Sequence, residues 1–231
     1  MFPIGDENPT RQTSYVVYTL IGINVAVFLH QLSLSQPQME AFFQTWAIVP
    51  QQLTSSFQGV PPTNLFPEWG TLISSQFLHG GFLHLLGNML YLWIFGNNIE
   101  DRLGHVKFTV FYLACGILAG LSQWFFSTNS AVPLIGASGA IAGVMGAYIL
   151  RFPHAQIRTL VTLGFFITSI RVPAIFFLGF WFVQQAFFSF ISLGVATQVQ
   201  EGGVAYWAHA GGFVFGALLA PLFGLFQEED L

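Results

Sequence analysis

Charge is what this sequence has least of. Of its 231 residues only 7% are Asp, Glu, Lys or Arg, while 54% are hydrophobic. A soluble domain carries about 25% charged residues, so the composition excludes a globule covered by water. Six Lys and Arg against ten Asp and Glu leave no basic surface for a nucleic acid. A single cysteine, Cys115, excludes a disulfide framework, and the apolar content excludes disorder. There is no HExxH, no GxxxxGK and no carboxylate inside an apolar run. Those absences disfavour a zinc metalloprotease of the HExxH type, a phosphate-loop enzyme and a paired-aspartate intramembrane protease. What remains is a polytopic membrane protein.

What is present is a series of long uncharged stretches. No charge falls between Arg11 and Glu40, Glu68 and Glu100, Lys107 and Arg151, Arg171 and Glu201, or Glu201 and Glu228. A crossing helix needs about 20 mostly apolar residues. The pattern predicts one all-α membrane domain over 1–231, with six spans at about 15–33, 80–97, 107–126, 138–150, 173–193 and 204–225. Residues 34–79, with Pro50, Pro61, Pro62 and Pro67, form a large outer loop, with a surface helix expected around Met39–Trp46. Arg11, Arg102, Lys107, Arg151, Arg158 and Arg171 fall in or beside the inner segments, and the outer loops hold only Glu40, Glu68 and Glu201. The positive-inside rule then places both termini in the cytoplasm. No signal-peptide pattern is seen, so the first span is expected to be retained.

The fourth span is short. Pro133 interrupts any helix before it, and Gly136-Ala137-Ser138-Gly139 precedes the run to Arg151. Thirteen residue steps from Ser138 to Arg151 cover roughly 20 Å, less than the roughly 30 Å hydrocarbon core. Ser138 is therefore expected at a helix N-terminus inside the membrane, where free N–H groups suit a developing oxyanion. Taken alone, the string reads more simply as packing glycines (Gly136, Gly139, Gly143, Gly146) with Ser138 as a cap. Polar residues on two other spans reach a similar depth. His84 and Asn88 share a face of the second span, below His79, and His209 lies in the sixth. Gly212 and Gly216 share a stripe with His209 that could press on the fourth helix and bring the imidazole to Ser138. One such histidine is ordinarily an interhelical hydrogen bond; three polar helices at one level point to a site. With no carboxylate in any span, the chemistry would be a Ser–His dyad. Glu100-Asp101-Arg102 reads as a solvated turn, and the phenylalanines of the fifth span read as a movable gate or as lipid-facing bulk.

These residues resemble the rhomboid intramembrane serine proteases, over most of the chain from about Tyr15 to Gly224. His79-Gly80-Gly81-Phe82-Leu83-His84 with Asn88 looks like the family's second-span signature, and Glu100-Asp101-Arg102-Leu103-Gly104 like its inner turn. Gly136-Ala137-Ser138-Gly139 looks like the nucleophile motif, and Ala208-His209-Ala210-Gly211-Gly212 with Gly216 like the histidine helix. The resemblance implies a six-helix bundle that cleaves transmembrane segments of other membrane proteins without metal or organic cofactor. Ser138 would be the nucleophile and His209 the base. His84, Asn88 and the Ser138 N–H would form the oxyanion hole. His79, Gly136, Gly139 and Gly212 would support the site. A bacterial cytoplasmic membrane is the expected location.

Two positions depart from the family pattern. Trp69 is followed by Gly70 rather than Arg, and Ala142 stands where some members place an aromatic against the histidine. The competing readings are a non-catalytic rhomboid-like protein that binds transmembrane helices and, with less support, a small transporter with a broken helix.

Overall fold

The computed structural model of the chain describes residues 2–61, 66–164, 166–193 and 204–227. Pro62 of the large loop, Glu201 of the last outer loop and residues 228–231 lie outside the described residues. Strand β1 (Phe2–Asp6) precedes α1 (Tyr15–Leu32). Ser35 opens α2 (Gln36–Trp46) with a capping box, its N–H donating to the Gln38 carboxamide at 2.9 Å. Pro50 begins α3 (Pro50–Phe57), in a position where its missing N–H has no helical acceptor. A 3₁₀ turn at Glu68–Gly70, helix α4 (Thr71–Ser74) and a second 3₁₀ turn at Ser75–Phe77 lead to the next helix.

Helix α5 (Phe82–Tyr91) passes through a π turn, Leu92–Gly96, into α6 (Asn97–Leu103). Gly104, at φ +72°, breaks the chain sharply before α7 (His105–Phe126). Helix α8 (Ser138–Arg151) stops before Pro153. After it come β2 (Gln156–Leu163), β3 (Phe166–Pro173), α9 (Ala174–Ser192) and α10 (Tyr206–Leu222).

The protein is mostly helical. Helices α1, α7 and α9 are long and apolar enough to cross a membrane, with mean hydropathies of 1.5, 1.5 and 1.7. Helices α8 and α10 have 14 and 17 residues. In lipid, burying apolar surface gives little drive for helices to associate, so close backbone approach must supply it. That is the role of the α8–α10 seam. A Cβ built on Gly216 would lie 2.1 Å from the Gly143 carbonyl oxygen, and one on Gly212 would lie 2.2 Å from that of Gly139. Helix α7 closes the other side, with Cys115 against Gly143 and Ala119 against Gly139.

Two sequence expectations are corrected. The fold is not all-α, because β1, β2 and β3 form an antiparallel sheet in that order. Strands β2 and β3 lie almost wholly within residues 151–172, a segment expected only as an inner connection between spans. Ile157, Thr159, Val161, Ile167, Ile170 and Val172 favour extended backbone, and Gly164 at φ +62° makes the turn. The second correction concerns Glu100, which is not in a solvated turn but 1% exposed within α6. Its carboxylate accepts the Val16 and Val17 N–H groups at 2.9 and 2.8 Å and pairs with His105 at 2.6 Å. It thus serves the free N–H groups of α1, whose own Ser14 makes no side-chain cap.

The basic residues gather at this end of the bundle. Arg171 pairs with Glu7 at 2.6 Å, Arg102 and Arg151 both approach the Phe152 ring, and Asp101 accepts the Arg11 N–H. Arg158 faces Asp6. Nearby, the Asp6 carboxylate accepts from Tyr148 of α8 and Asn98 of α6.

Candidate active site

Four helices, α5, α8, α9 and α10, meet at the opposite end around a cavity of about 940 Å³. Helix α8 contributes Ser138 as its first residue, with Ala137 as the flanking cap residue. Because the cap position falls on Ala137, the capping role expected from the motif alone does not belong to Ser138. Its hydroxyl lies 2.8 Å from His209 Nε2. A neutral imidazole with its lone pair at Nε2 accepts the serine proton at that distance.

The approach is set by the chain around it. Before Ser138 the backbone is irregular but tied down. Leu134 and Ile48 exchange backbone hydrogen bonds of 2.7 and 3.2 Å, and the Gly136 N–H donates to Ser75 at 2.9 Å. Gly136 has φ +123°, and a Cβ there would sit 2.9 Å from His84 Nε2, so both conformation and space require glycine. At α10, the side chain of Gln123 accepts the Trp207 and Ala208 N–H groups at 3.1 and 3.3 Å and serves the helix end that carries His209.

Helix α5 supplies the facing wall. His84 and Asn88 line the cavity with Ser138 and His209. Asn88 Nδ2 lies 2.9 Å from His79 Nε2, and the His79 and His84 rings meet edge to face at 5.1 Å. The His79 peptide is held from α1, where Gln31 donates to its carbonyl at 2.8 Å and accepts its N–H at 3.1 Å. Serine, imidazole, a second imidazole and a carboxamide therefore face one space. Among the described residues, no Asp, Glu, Lys or Arg lines it and no cluster of three metal-ligating side chains occurs.

The departures noted in the sequence have structural counterparts. Gly70 lies under the Phe66 ring, which packs on Trp46, so aromatic contact holds the part of the loop where arginine is missing. Ala142 is fully buried and does not touch the imidazole from α8; instead Trp181 of α9 lies against it at 5.8 Å. One polar neighbour was not anticipated at all. Gln185 Oε1 of α9 lies 2.8 Å from His209 Nδ1. A glutamine four residues after a tryptophan in an uncharged phenylalanine-rich run was the only available signal. Of those phenylalanines, Phe176, Phe180, Phe187 and Phe190 point outward, whereas Phe182 stacks on Phe213 of α10.

Residues 67–226 match the sequence profile of the Rhomboid domain. The chain is 33% identical to mitochondrial Rhomboid protein 1 of Saccharomyces cerevisiae, over 88% of this chain and 51% of that protein. It is 33% identical to Rhomboid protease GluP of Bacillus subtilis, over 68% of this chain and 27% of that protein. It is 26% identical to chloroplastic Rhomboid-like protein 11 of Arabidopsis thaliana, over 98% and 71%. The chain thus spans about half of the yeast relative and about a quarter of the Bacillus one.

Proposed function

The chain belongs to the rhomboid family, and from that premise we propose that it is an intramembrane serine endopeptidase acting on transmembrane segments of other membrane proteins. The observation that carries the proposal is the 2.8 Å contact between Ser138 Oγ and His209 Nε2. Relatives named as rhomboid proteases support the class of reaction.

In the proposed reaction Ser138 Oγ attacks the scissile carbonyl while His209 Nε2 takes its proton. The oxyanion is met by the Ser138 N–H, His84 and Asn88. Preorganised donors of this kind are worth far more in a water-poor site than in bulk water. His209 then gives its proton to the leaving amine, and the acyl-enzyme forms. Water, deprotonated by the same imidazole, releases the second product. His79 holds Asn88; Gly136, Gly139 and Gly212 keep the backbones close enough for the contact. Neither metal nor organic cofactor enters this scheme.

The topology proposed with it has six crossings in one domain: α1, the α5–π–α6 unit, α7, α8, α9 and α10. The short α8 begins within the membrane, and the basic end of the bundle faces the cytoplasm, as the positive-inside rule asks. Bacterial relatives support a bacterial cytoplasmic membrane.

The test is cleavage of a helical transmembrane substrate by the full chain in liposomes, together with labelling by a fluorophosphonate. Cleavage and labelling by the natural chain, both lost in Ser138→Ala and His209→Ala, are expected. A folded natural chain that neither cleaves nor labels would overturn the proposal in favour of a helix-binding rhomboid-like protein.

A further inference from the structure

The catalytic imidazole has two ring nitrogens, and the reaction above uses one. The other, Nδ1, lies 2.8 Å from Oε1 of Gln185 on α9. Gln185 is buried. Trp181, one turn earlier on the same face, sets its ring 5.8 Å from the imidazole at 37° and also packs on Phe213 of α10. One helix thus supplies both an in-plane acceptor and an aromatic wall to the same histidine. The turn of α8 beyond Ser138, Gly139-Ala140-Ile141-Ala142-Gly143, holds neither an aromatic nor a polar side chain.

We propose that Gln185 is a positioning residue that fixes the tautomer of His209; this rests on the Ser138–His209 reading above. A neutral imidazole carries one N–H. With Oε1 as its acceptor that proton sits on Nδ1, which leaves the Nε2 lone pair facing the Ser138 hydroxyl. The opposite tautomer would place an N–H against the hydroxyl and an idle lone pair against Oε1. Only the first can take the serine proton.

The proton count is closed. The hydroxyl proton moves to Nε2, the imidazolium keeps its Nδ1 proton on the Gln185 oxygen, and the Nε2 proton passes to the leaving amine. Gln185 is unchanged throughout. A carboxylate would serve the same geometry, but a buried charge without a partner is costly, and no cation lines this cavity. A carboxamide gives the orientation without that charge. Among the described residues, the other titratable groups lining the cavity are His84 and Tyr91 of α5.

The full chain in detergent would be compared with Gln185→Leu, Gln185→Glu and Ser138→Ala. The readouts are kcat, KM and the fluorophosphonate labelling rate against pH. Gln185→Leu is expected to lower kcat and labelling by about 10- to 100-fold, with KM within about twofold. Losing tautomer control costs about 10⁴-fold where the third group is an aspartate, and a neutral amide should contribute less. Gln185→Glu is expected to remain active and to move the acidic limb of the profile up by about one pH unit, because a carboxylate beside Nδ1 favours the protonated imidazole. Natural kcat and an unchanged profile in Gln185→Leu would overturn the assignment. A folded Gln185→Glu chain without activity would overturn it as well, since a carboxyl oxygen accepts from Nδ1 in either protonation state, and that variant decides the matter if Gln185→Leu does not fold. A natural chain that is itself neither active nor labelled removes the Ser–His reading, and this one with it. Activity in the natural chain equalled by Gln185→Leu removes this one alone.

Discussion

Two clusters of polar side chains lie at opposite ends of this bundle, and they are built on opposite principles. At the basic end, Glu100 has two backbone N–H donors and His105 on its carboxylate. Its partners are fixed groups of the same chain, and it closes the end of α1. At the other end, the Ser138 hydroxyl, His84 and Asn88 border an open cavity. A polar group whose bonds are all taken by its own chain holds structure together. A polar group that keeps capacity toward a cavity is prepared for a visitor. Family motifs do not separate the two clusters; burial and hydrogen-bond capacity do, with Glu100 enclosed and His84 open to the cavity.

The contrast can be broken by removing one member from each cluster. The largest effect is expected for Ser138→Ala, which should lower cleavage by about 10⁴-fold or more and shift the melting midpoint by less than about 2 °C. Substantial unfolding of that variant, read by thermal melting in detergent, would erase the distinction. Next comes Asn88→Ala, expected to cost about 100- to 1000-fold in kcat, as loss of one oxyanion donor does. A purely structural Asn88 would instead lower stability and leave kcat per folded molecule intact.

Glu100→Ala should show the reverse pattern. It leaves two buried N–H groups of α1 without acceptors, which destabilises the fold by about 2–3 kcal/mol. Turnover per folded molecule should be unchanged. Denaturant titration with active-site counting checks both halves. The smallest effect belongs to Asp6. Burial holds its carboxyl above the ordinary value of 3.8, against the opposing pull of Tyr148 and Arg158. The folded state therefore takes up this proton more readily than the unfolded chain. Its contribution is fully present below 3.8 and is lost as pH rises through the raised native value. Asp6→Asn should flatten that fall while changing stability by about 1 kcal/mol or less. An unaltered pH–melting curve would count against it.

The parts legible in the sequence were those written in local pattern. Uncharged runs gave the helices, and α1 and α9 lie within a residue of their expected limits. The serine, the histidines and the glycine stripe were legible because polar or small residues are conspicuous against an apolar background. Glu100 was misread because its acceptor role depends on N–H groups more than 80 residues away. The sheet is not legible in the sequence because β1, with Pro3 and Gly5, is too short to announce itself, and the basic residues around its partner mark an inner segment without marking a strand. Gln185 escaped for a plainer reason. Its role exists only where α9 and α10 touch, and no spacing within one helix encodes that contact.

The π turn at Leu92–Gly96 joins the two clusters on one continuous rod. N-terminal to it stand His84 and Asn88, and C-terminal to it stands Glu100. A π turn takes up one residue more than an α turn, so it acts as a phase shifter between the two ends. Rewinding the same residues as regular α-helix would rotate one end against the other by roughly 100°. Glu100 could then stay with α1 only if His84 and Asn88 swung away from the serine. In gearing terms, that extra residue is the tooth that lets one shaft engage two wheels set at different angles.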